Sequence, residues 1–385
     1  MATDLTPDSK PRIEPVTRET GGAVVIDVRR QSSPRDKGQI VPAAAPGGAK
    51  CPAPRDLAPS RVRWPCQVFA PLVDIGLSAA TGRFPQYDLV SAAEDFGVRF
   101  FTLGFVTGDS AGRPIFAGYR MGSPWDQGLR EQIVALRELG GDVAISFGGA
   151  NGADAELART IVDVDELAET YKSLVAAYGV QRIDFDIEES AADDAESIDR
   201  RSQAIGQLQE SRAAEGNPLE VWFSVAALPT GISEGGISVV KSALGAGVDI
   251  AGINVMAMNF GAVNAPSPAE RMGDYAIQAA RHSFVQLRRL FARPGRSGGN
   301  ARLWSTIGVT PMIGQNDIRS ERFSLDDARK LLAFAEENGL GLISLWSMNR
   351  DANTGEANYD STAIAQAPYD FTRLFAGFTK DPATD

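Results

Sequence analysis

From Trp64 to the C-terminus, short apolar runs alternate with segments whose apolar residues recur at helical spacing. The runs predict strands over Gln67–Gly76, Arg99–Thr107, Asp142–Gly149, Gln181–Glu188, Glu220–Leu228, Asp249–Met258, Leu303–Thr310 and Gly341–Met348. Helical periods lie between several of them, as in Leu129–Leu139, Val164–Tyr178 and Leu325–Asn338. Units of about 30–45 residues, each a strand rich in Val, Ile, Leu and Phe with a helix to follow, predict an α/β fold of the (β/α)8 barrel type. A doubly wound open sheet is the alternative, but no G-x-G-x-x-G turn follows the first strand.

One run breaks the apolar rule. Ile183-Asp184-Phe185-Asp186-Ile187-Glu188 alternates strictly between apolar and acidic residues. Successive side chains of a strand point to opposite faces, so Asp184, Asp186 and Glu188 share one face and Ile183, Phe185 and Ile187 the other. An edge strand with its acids in water would show the same alternation. In a barrel, however, the outward face meets helices and must be apolar, while the inward face fills an interior that is not solvent. Three stacked carboxylates repel one another unless they share protons or hold a ligand. The run therefore predicts a catalytic or binding site, with Glu188 nearest the mouth and Asp184 deepest.

Composition changes the picture at the N-terminus. Residues 1–63 hold 11 Lys and Arg, 7 Asp and Glu, 9 of the 22 prolines and no aromatic residue. Such a segment buries too little apolar surface to offset its ordering entropy and predicts a mostly disordered leader, leaving 64–385 as the folded domain. Asp4, Asp8, Glu14 and Glu19 interrupt its start and no apolar h-region follows, so no signal peptide is recognisable. Ala23-Val24-Val25-Ile26 is a candidate docking peptide for a partner, or a stray apolar cluster. Cys51 and Cys66 bracket the leader's end, as a disulfide or as two thiols. The whole chain carries a formal charge of −11, which argues against nucleic acid as a partner. No apolar run reaches the roughly 18 residues of a membrane span. A single histidine, His282, disfavours a multi-histidine metal site or a His-dependent triad.

With the barrel in place, the chain resembles the glycoside hydrolase family 18 chitinases and their bacterial chitinase-like relatives. Their fourth-strand signature, D-x-x-D-x-D-x-E, matches Asp184, Asp186 and Glu188 in its last three acids. Their third-strand signature, S-x-G-G, matches Ser146-Phe147-Gly148-Gly149. Further likenesses are Leu228-Pro229-Thr230-Gly231, Val255-Met256-Ala257-Met258, the stretch Thr310 to Asp317, and Leu345-Trp346-Ser347-Met348-Asn349-Arg350-Asp351. The resemblance spans roughly residues 66–378 and leaves out the leader.

The resemblance implies a retaining, endo-acting hydrolase of β-1,4-linked N-acetylglucosamine, using the substrate's own acetamido group as nucleophile and no cofactor or metal. It implies Glu188 as general acid and base, Asp186 as partner of the acetamido group, and Asp184 as a proton-sharing acid beneath. Trp346 would form the floor under the reacting sugar, whose C–H face packs on an indole. Gln315 and Asn316 are candidate hydrogen-bond partners of sugar hydroxyls, or turn residues. Extracellular action is expected. The pattern is broken at Gln181, where the signature has Asp, at Arg182, where a small glycine is usual, and at Met258-Asn259, where many relatives carry Tyr-Asp. Met258 lacks the hydroxyl that contacts the acetamido group; Asn259 keeps an amide able to reach its carbonyl. These losses motivate an alternative, a chitinase-like protein that binds sugar without turnover. A barrel hydrolase using the acids as Mg²⁺ or Ca²⁺ ligands is a third reading.

Overall fold

The computed structural model describes residues 56–77, 87–267, 271–292 and 300–380. Eight parallel strands form the barrel: β1 in two pieces (Val68–Phe69 and Leu72–Asp74), β2 (Phe100–Gly108), β3 (Asp142–Gly148), β4 (Arg182–Ile187), β5 (Glu220–Leu228), β6 (Ile250–Ala257), β7 (Ile307–Pro311) and β8 (Leu342–Ile343). Each pairs with its sequence neighbour, and the two pieces of β1 close the ring. Val68 lies opposite Leu342 of β8, and Leu72 opposite Thr102 of β2. All eight predicted strands are present, β8 with a shorter ladder than its apolar run suggests. The order is that of the (β/α)8 barrel expected from the repeat.

A helix follows each strand: α1 (Leu89–Phe96), α2 (Pro124–Glu138), α3 (Val164–Tyr178), α4 (Ala195–Ala214), α5 (Glu234–Gly245), α6 (Met272–Leu290), α7 (Leu325–Asn338) and α8 (Asp370–Ala376). Their starts are set locally. Asp163 accepts from the Glu166 amide at α3, and Ser324 and Asp327 form a reciprocal capping box at α7. Among the described residues, no helix is long and apolar enough to cross a membrane.

Packing between barrel and helices explains the apolar half of the acidic strand. Ile183, Phe185 and Ile187 are fully buried on the helix side. Phe185 stacks between Phe147 of β3 and Phe223 of β5, at 5.1 and 5.7 Å between ring centroids, while Tyr171 of α3 meets it edge-on at 5.2 Å. One aromatic row thus fixes the register of three strands, which decides where their inward residues fall.

The other end of the barrel departs from expectation. Composition predicts disorder through Arg63, yet residues 56–63 lie against the barrel. The Leu57 amide donates to the Ala177 carbonyl at 3.2 Å and the Ser60 amide to that of Gly179 at 2.8 Å. Main-chain pairing with the end of α3 orders this stretch, and a composition count does not register main-chain pairing. Trp64 follows, and its indole covers the Arg182 guanidinium at 4.1 Å. Arg182 pairs with Glu220 at 2.6 Å and lies 5.2 Å from the Trp222 ring. The residue that replaces the usual glycine is thus part of the plug at the barrel floor. The docking stretch Ala23–Ile26 and Cys51 lie outside the described residues; Cys66 is exposed.

Candidate active site

The strand pattern brings the three acids to one side of the barrel interior, at its carboxyl end. Asp184 and Asp186 are buried on β4, and Glu188, just beyond it, is half-buried and adopts extended geometry before a short helical turn. Asp184 is enclosed by donors: its carboxylate accepts from the Ser146 hydroxyl of β3 at 2.6 Å and from the Ser224 hydroxyl of β5 at 2.9 Å. Burial pushes its carboxyl up to about 6, against the pull of those two hydrogen bonds.

Asp186 is held differently. Burial pushes its carboxyl well above the usual range, and the adjacent carboxylates of Glu188 and Asp184 push it further. Its hydrogen-bond partner is Glu188, and its Oδ1 has no partner. The family resemblance implies proton sharing between Asp184 and Asp186. In the structure the shared hydrogen bond is the one between Asp186 and Glu188, because the two serines already satisfy Asp184. Two carboxyls in contact keep one proton between them to a higher pH than either would alone.

The wall beside Asp186 is made of backbone. The Gly149 amide donates to the Asp186 carbonyl at 2.9 Å, and a Cβ on Gly148 would fall 2.3 Å from that oxygen. Gly148 sits at φ +100°, so the tight passage of this pair is imposed by both contact and conformation. A Cβ on Gly149 would press on the ring of Phe105 at 3.0 Å. Phe105 lies parallel to Trp346, 6.1 Å between centroids. Trp346 sits where β8 ends, half-buried, with its amide bonded to the Pro311 carbonyl at 2.9 Å. Nothing in the sequence singles out Phe105; an aromatic inside a long apolar run carries no mark that separates it from core.

The opposite wall is occupied by a bonded loop. Asn259, at φ +53°, donates from Nδ2 to Asp317 at 2.9 Å, and its Oδ1 accepts from the Asp317 amide at 3.1 Å. Both ends of the amide expected to meet the acetamido carbonyl are thus engaged by the chain after β7. Gln315 is engaged likewise: its Nε2 donates to the Arg319 carbonyl at 3.0 Å and to that of Glu321 at 2.7 Å. Asn316 is buried and donates to the Met312 carbonyl at 2.8 Å. These residues build the loop, so the turn role is the one the geometry supports. Met258 follows β6, half-buried. A residue with no distinguishing mark in the sequence organises this wall: Glu321, fully buried, accepts from the Phe260 amide at 3.0 Å and the Gly261 amide at 2.6 Å. His282 lies on α6, bonded to the Pro229 carbonyl at 2.7 Å, apart from these acids.

Known proteins resemble this chain along most of its length. A probable bifunctional chitinase/lysozyme of Escherichia coli is 34% identical over 325 residues, covering 82% of this chain and 35% of its own length. Endochitinase 11 of Metarhizium anisopliae is 35% identical over 292 residues, covering 75% of this chain and 53% of its own. The catalytic domain of a hyperthermophilic chitinase from Pyrococcus furiosus superposes with a TM-score of 0.70 at 29% identity, over 82% of this chain and 96% of that domain. The chain is similar to chitinases over three quarters or more of its length. No protein-family model matches it. The Escherichia coli and Metarhizium anisopliae relatives are longer: the chain spans about a third of one and half of the other. A family 18 chitinase of Pseudoalteromonas aurantia, 18% identical with a TM-score of 0.53, shares the fold.

Proposed function

We propose that the protein is a retaining, chitinase-like glycoside hydrolase cleaving β-1,4-linked N-acetylglucosamine chains, with Glu188 as the proton donor. The observation that carries this reading is the contact, at the carboxyl end of β4, between the buried Asp186 carboxyl and the half-buried Glu188 carboxyl. Two carboxyls in contact hold a proton between them, and a held proton is what a general acid needs, because the leaving glycosidic oxygen must be protonated as the bond breaks. The relatives named chitinase and endochitinase supply the substrate class.

Bond cleavage proceeds with the proton passing from Glu188 to the leaving oxygen while the substrate's acetamido oxygen attacks the anomeric carbon. An oxazolinium ion forms, carrying positive charge at the acetamido nitrogen and carbon. Asp186, relieved of its bond to Glu188 as that proton leaves, faces this charge and orients the group. Glu188, now a carboxylate, takes a proton from water, which opens the ring with net retention. Asp184, fixed by Ser146 and Ser224, stays in place beneath Asp186 and supplies negative charge. Trp346, backed by Phe105, offers the apolar face on which the reacting pyranose packs.

The test is product release from chito-oligosaccharides by wild type and Glu188→Gln, each with and without chelator. Wild type is expected to release short N-acetylglucosamine oligomers regardless of chelator. Glu188→Gln should lower kcat by about 10²–10⁴-fold. Undiminished turnover in Glu188→Gln overturns the assignment, and binding without turnover in wild type favours a sugar-binding protein instead.

A further inference from the structure

We propose that Asn254 and Thr310 are positioning residues that fix the direction of a hydrogen-bond relay running through Ser224 onto Asp184. The inference rests on the glycosidase reading for its catalytic meaning, but the relay itself is measurable without turnover. It crosses four consecutive strands. Thr310 of β7 donates from Oγ1 to Asn254 Oδ1 at 2.9 Å, and Asn254 of β6 donates from Nδ2 to Ser224 Oγ at 2.9 Å. Ser224 of β5 then donates to Asp184 of β4 at 2.9 Å. All four side chains are at least nine-tenths buried.

The direction follows from what each group can do. A carboxamide has one acceptor end and one donor end. With its oxygen filled by the Thr310 hydroxyl, Asn254 meets Ser224 with its NH₂ group. Ser224 has a single hydrogen and already accepts from Asn254, so that hydrogen goes to Asp184. Gly308 leaves room for this, since a Cβ there would stand 3.0 Å from Asn254 Oδ1. The relay therefore presents a donor to Asp184 and favours its charged form, leaving the site's proton to the Asp186–Glu188 pair above. Among the described residues, the charged groups that neighbour Asp184 come from its own strand: Asp186 toward the mouth, and Arg182, which lines the same cavity of about 20 Å³ toward the floor. The neighbouring strands β3, β5, β6 and β7 offer it the neutral Ser146, Ser224, Asn254 and Thr310, so direction rather than charge is what they control.

The experiment follows the Asp184 carboxyl by carbon-13 NMR titration of the full chain, the signal assigned by its loss in Asp184→Asn. Thr310→Val, neutral and of equal shape, frees the Asn254 carbonyl and lets the amide turn. The Asp184 midpoint should rise by about 0.3 pH units or more, a twofold change in proton affinity. Asn254→Asp draws the Ser224 hydrogen away and adds charge, and should raise it by about one pH unit or more. In turnover, the acid limb of kcat/KM should move up with the NMR midpoint while KM stays near wild type. An unmoved midpoint in Thr310→Val overturns the relay, whatever Asn254→Asp does; should Thr310→Val fail to fold, Asn254→Leu decides in the same way. Wild type inactive on chito-oligosaccharides with a shifted midpoint in Thr310→Val would sink the glycosidase reading and keep the relay. An active wild type with an unmoved midpoint would do the reverse.

Discussion

At the scale of single residues, the acids differ because their neighbours differ. Asp184 and Asp186 are equally buried on the same strand, yet one meets two serine hydroxyls and the other meets a carboxyl. The alternation of Ile183 to Glu188 reveals which residues share a face. It cannot reveal the partners, because Ser146 and Ser224 are single polar residues inside apolar runs and look like tolerated substitutions until the strands are aligned. Burial has a measurable consequence at Asp184. Its carboxyl stands at about 6 in the folded protein against an ordinary 3.8, so the folded state binds this proton more tightly than the unfolded chain. The stability it confers is complete below the ordinary value and is lost as pH rises through 6. A gap of about two pH units between folded and unfolded titration corresponds to about 3 kcal/mol. The stability of wild type relative to Asp184→Asn should therefore fall by about that amount between acid and neutral pH, measured by urea unfolding. A difference that is flat with pH would show that Asp184 is not the group responsible.

At the scale of elements, the site is a strand facing a loop, and the two differ in how far sequence reads them. β4 obeys a period of two and its role follows from that period. The chain between β7 and α7 has no period. Its shape comes from Gln315, Asn316 and Glu321 satisfying main-chain groups several residues away, and from Asn259 reaching across from β6. Amide side chains near a predicted mouth look like sugar contacts, and nothing local distinguishes them from amides that hold a turn. Glu321 joins the two connections by accepting the Phe260 and Gly261 amides, and burial raises its carboxyl despite those bonds. Replacing it with alanine strands the buried Phe260 amide and the half-buried Gly261 amide. Glu321→Ala should cost about 3 kcal/mol and speed hydrogen exchange at the Phe260 and Gly261 amides while leaving β4 protected. Uniform loss of protection would mean that the loop is not an independent unit. Gln315→Ala should loosen residues 316–321 and raise KM more than it lowers kcat, since the residue shapes a wall and touches no reacting atom.

At the scale of the whole molecule, the barrel has two ends with separate tasks. The mouth carries the Asp186–Glu188 pair, Trp346 and the bonded loop; the floor carries Trp64, Arg182, Trp222 and Glu220. Between them lie the Ser146–Asp184–Ser224 contacts and the small cavity. The floor explains why Arg182 is tolerated where a glycine is usual in the family. The charge is paired with Glu220 and sandwiched by two indoles, and one of those indoles directly follows the segment that composition alone assigns to a disordered leader. A buried guanidinium without that cover would keep the ion pair and lose the cation–π contact on one side. Trp64→Ala should therefore destabilise the fold by about 2–3 kcal/mol, less than the cost of a fully buried aromatic because Trp64 is half-buried. Its kcat on chito-oligosaccharides should match wild type wherever the variant is folded, because in barrels of this kind floor residues serve stability and mouth residues serve chemistry. Chemical unfolding and initial rates on the same preparation separate the two effects. A Trp64→Ala variant as stable as wild type would show that the strap lies on the barrel without closing it. A folded variant with a reduced kcat would show that floor and mouth communicate through the polar residues between them.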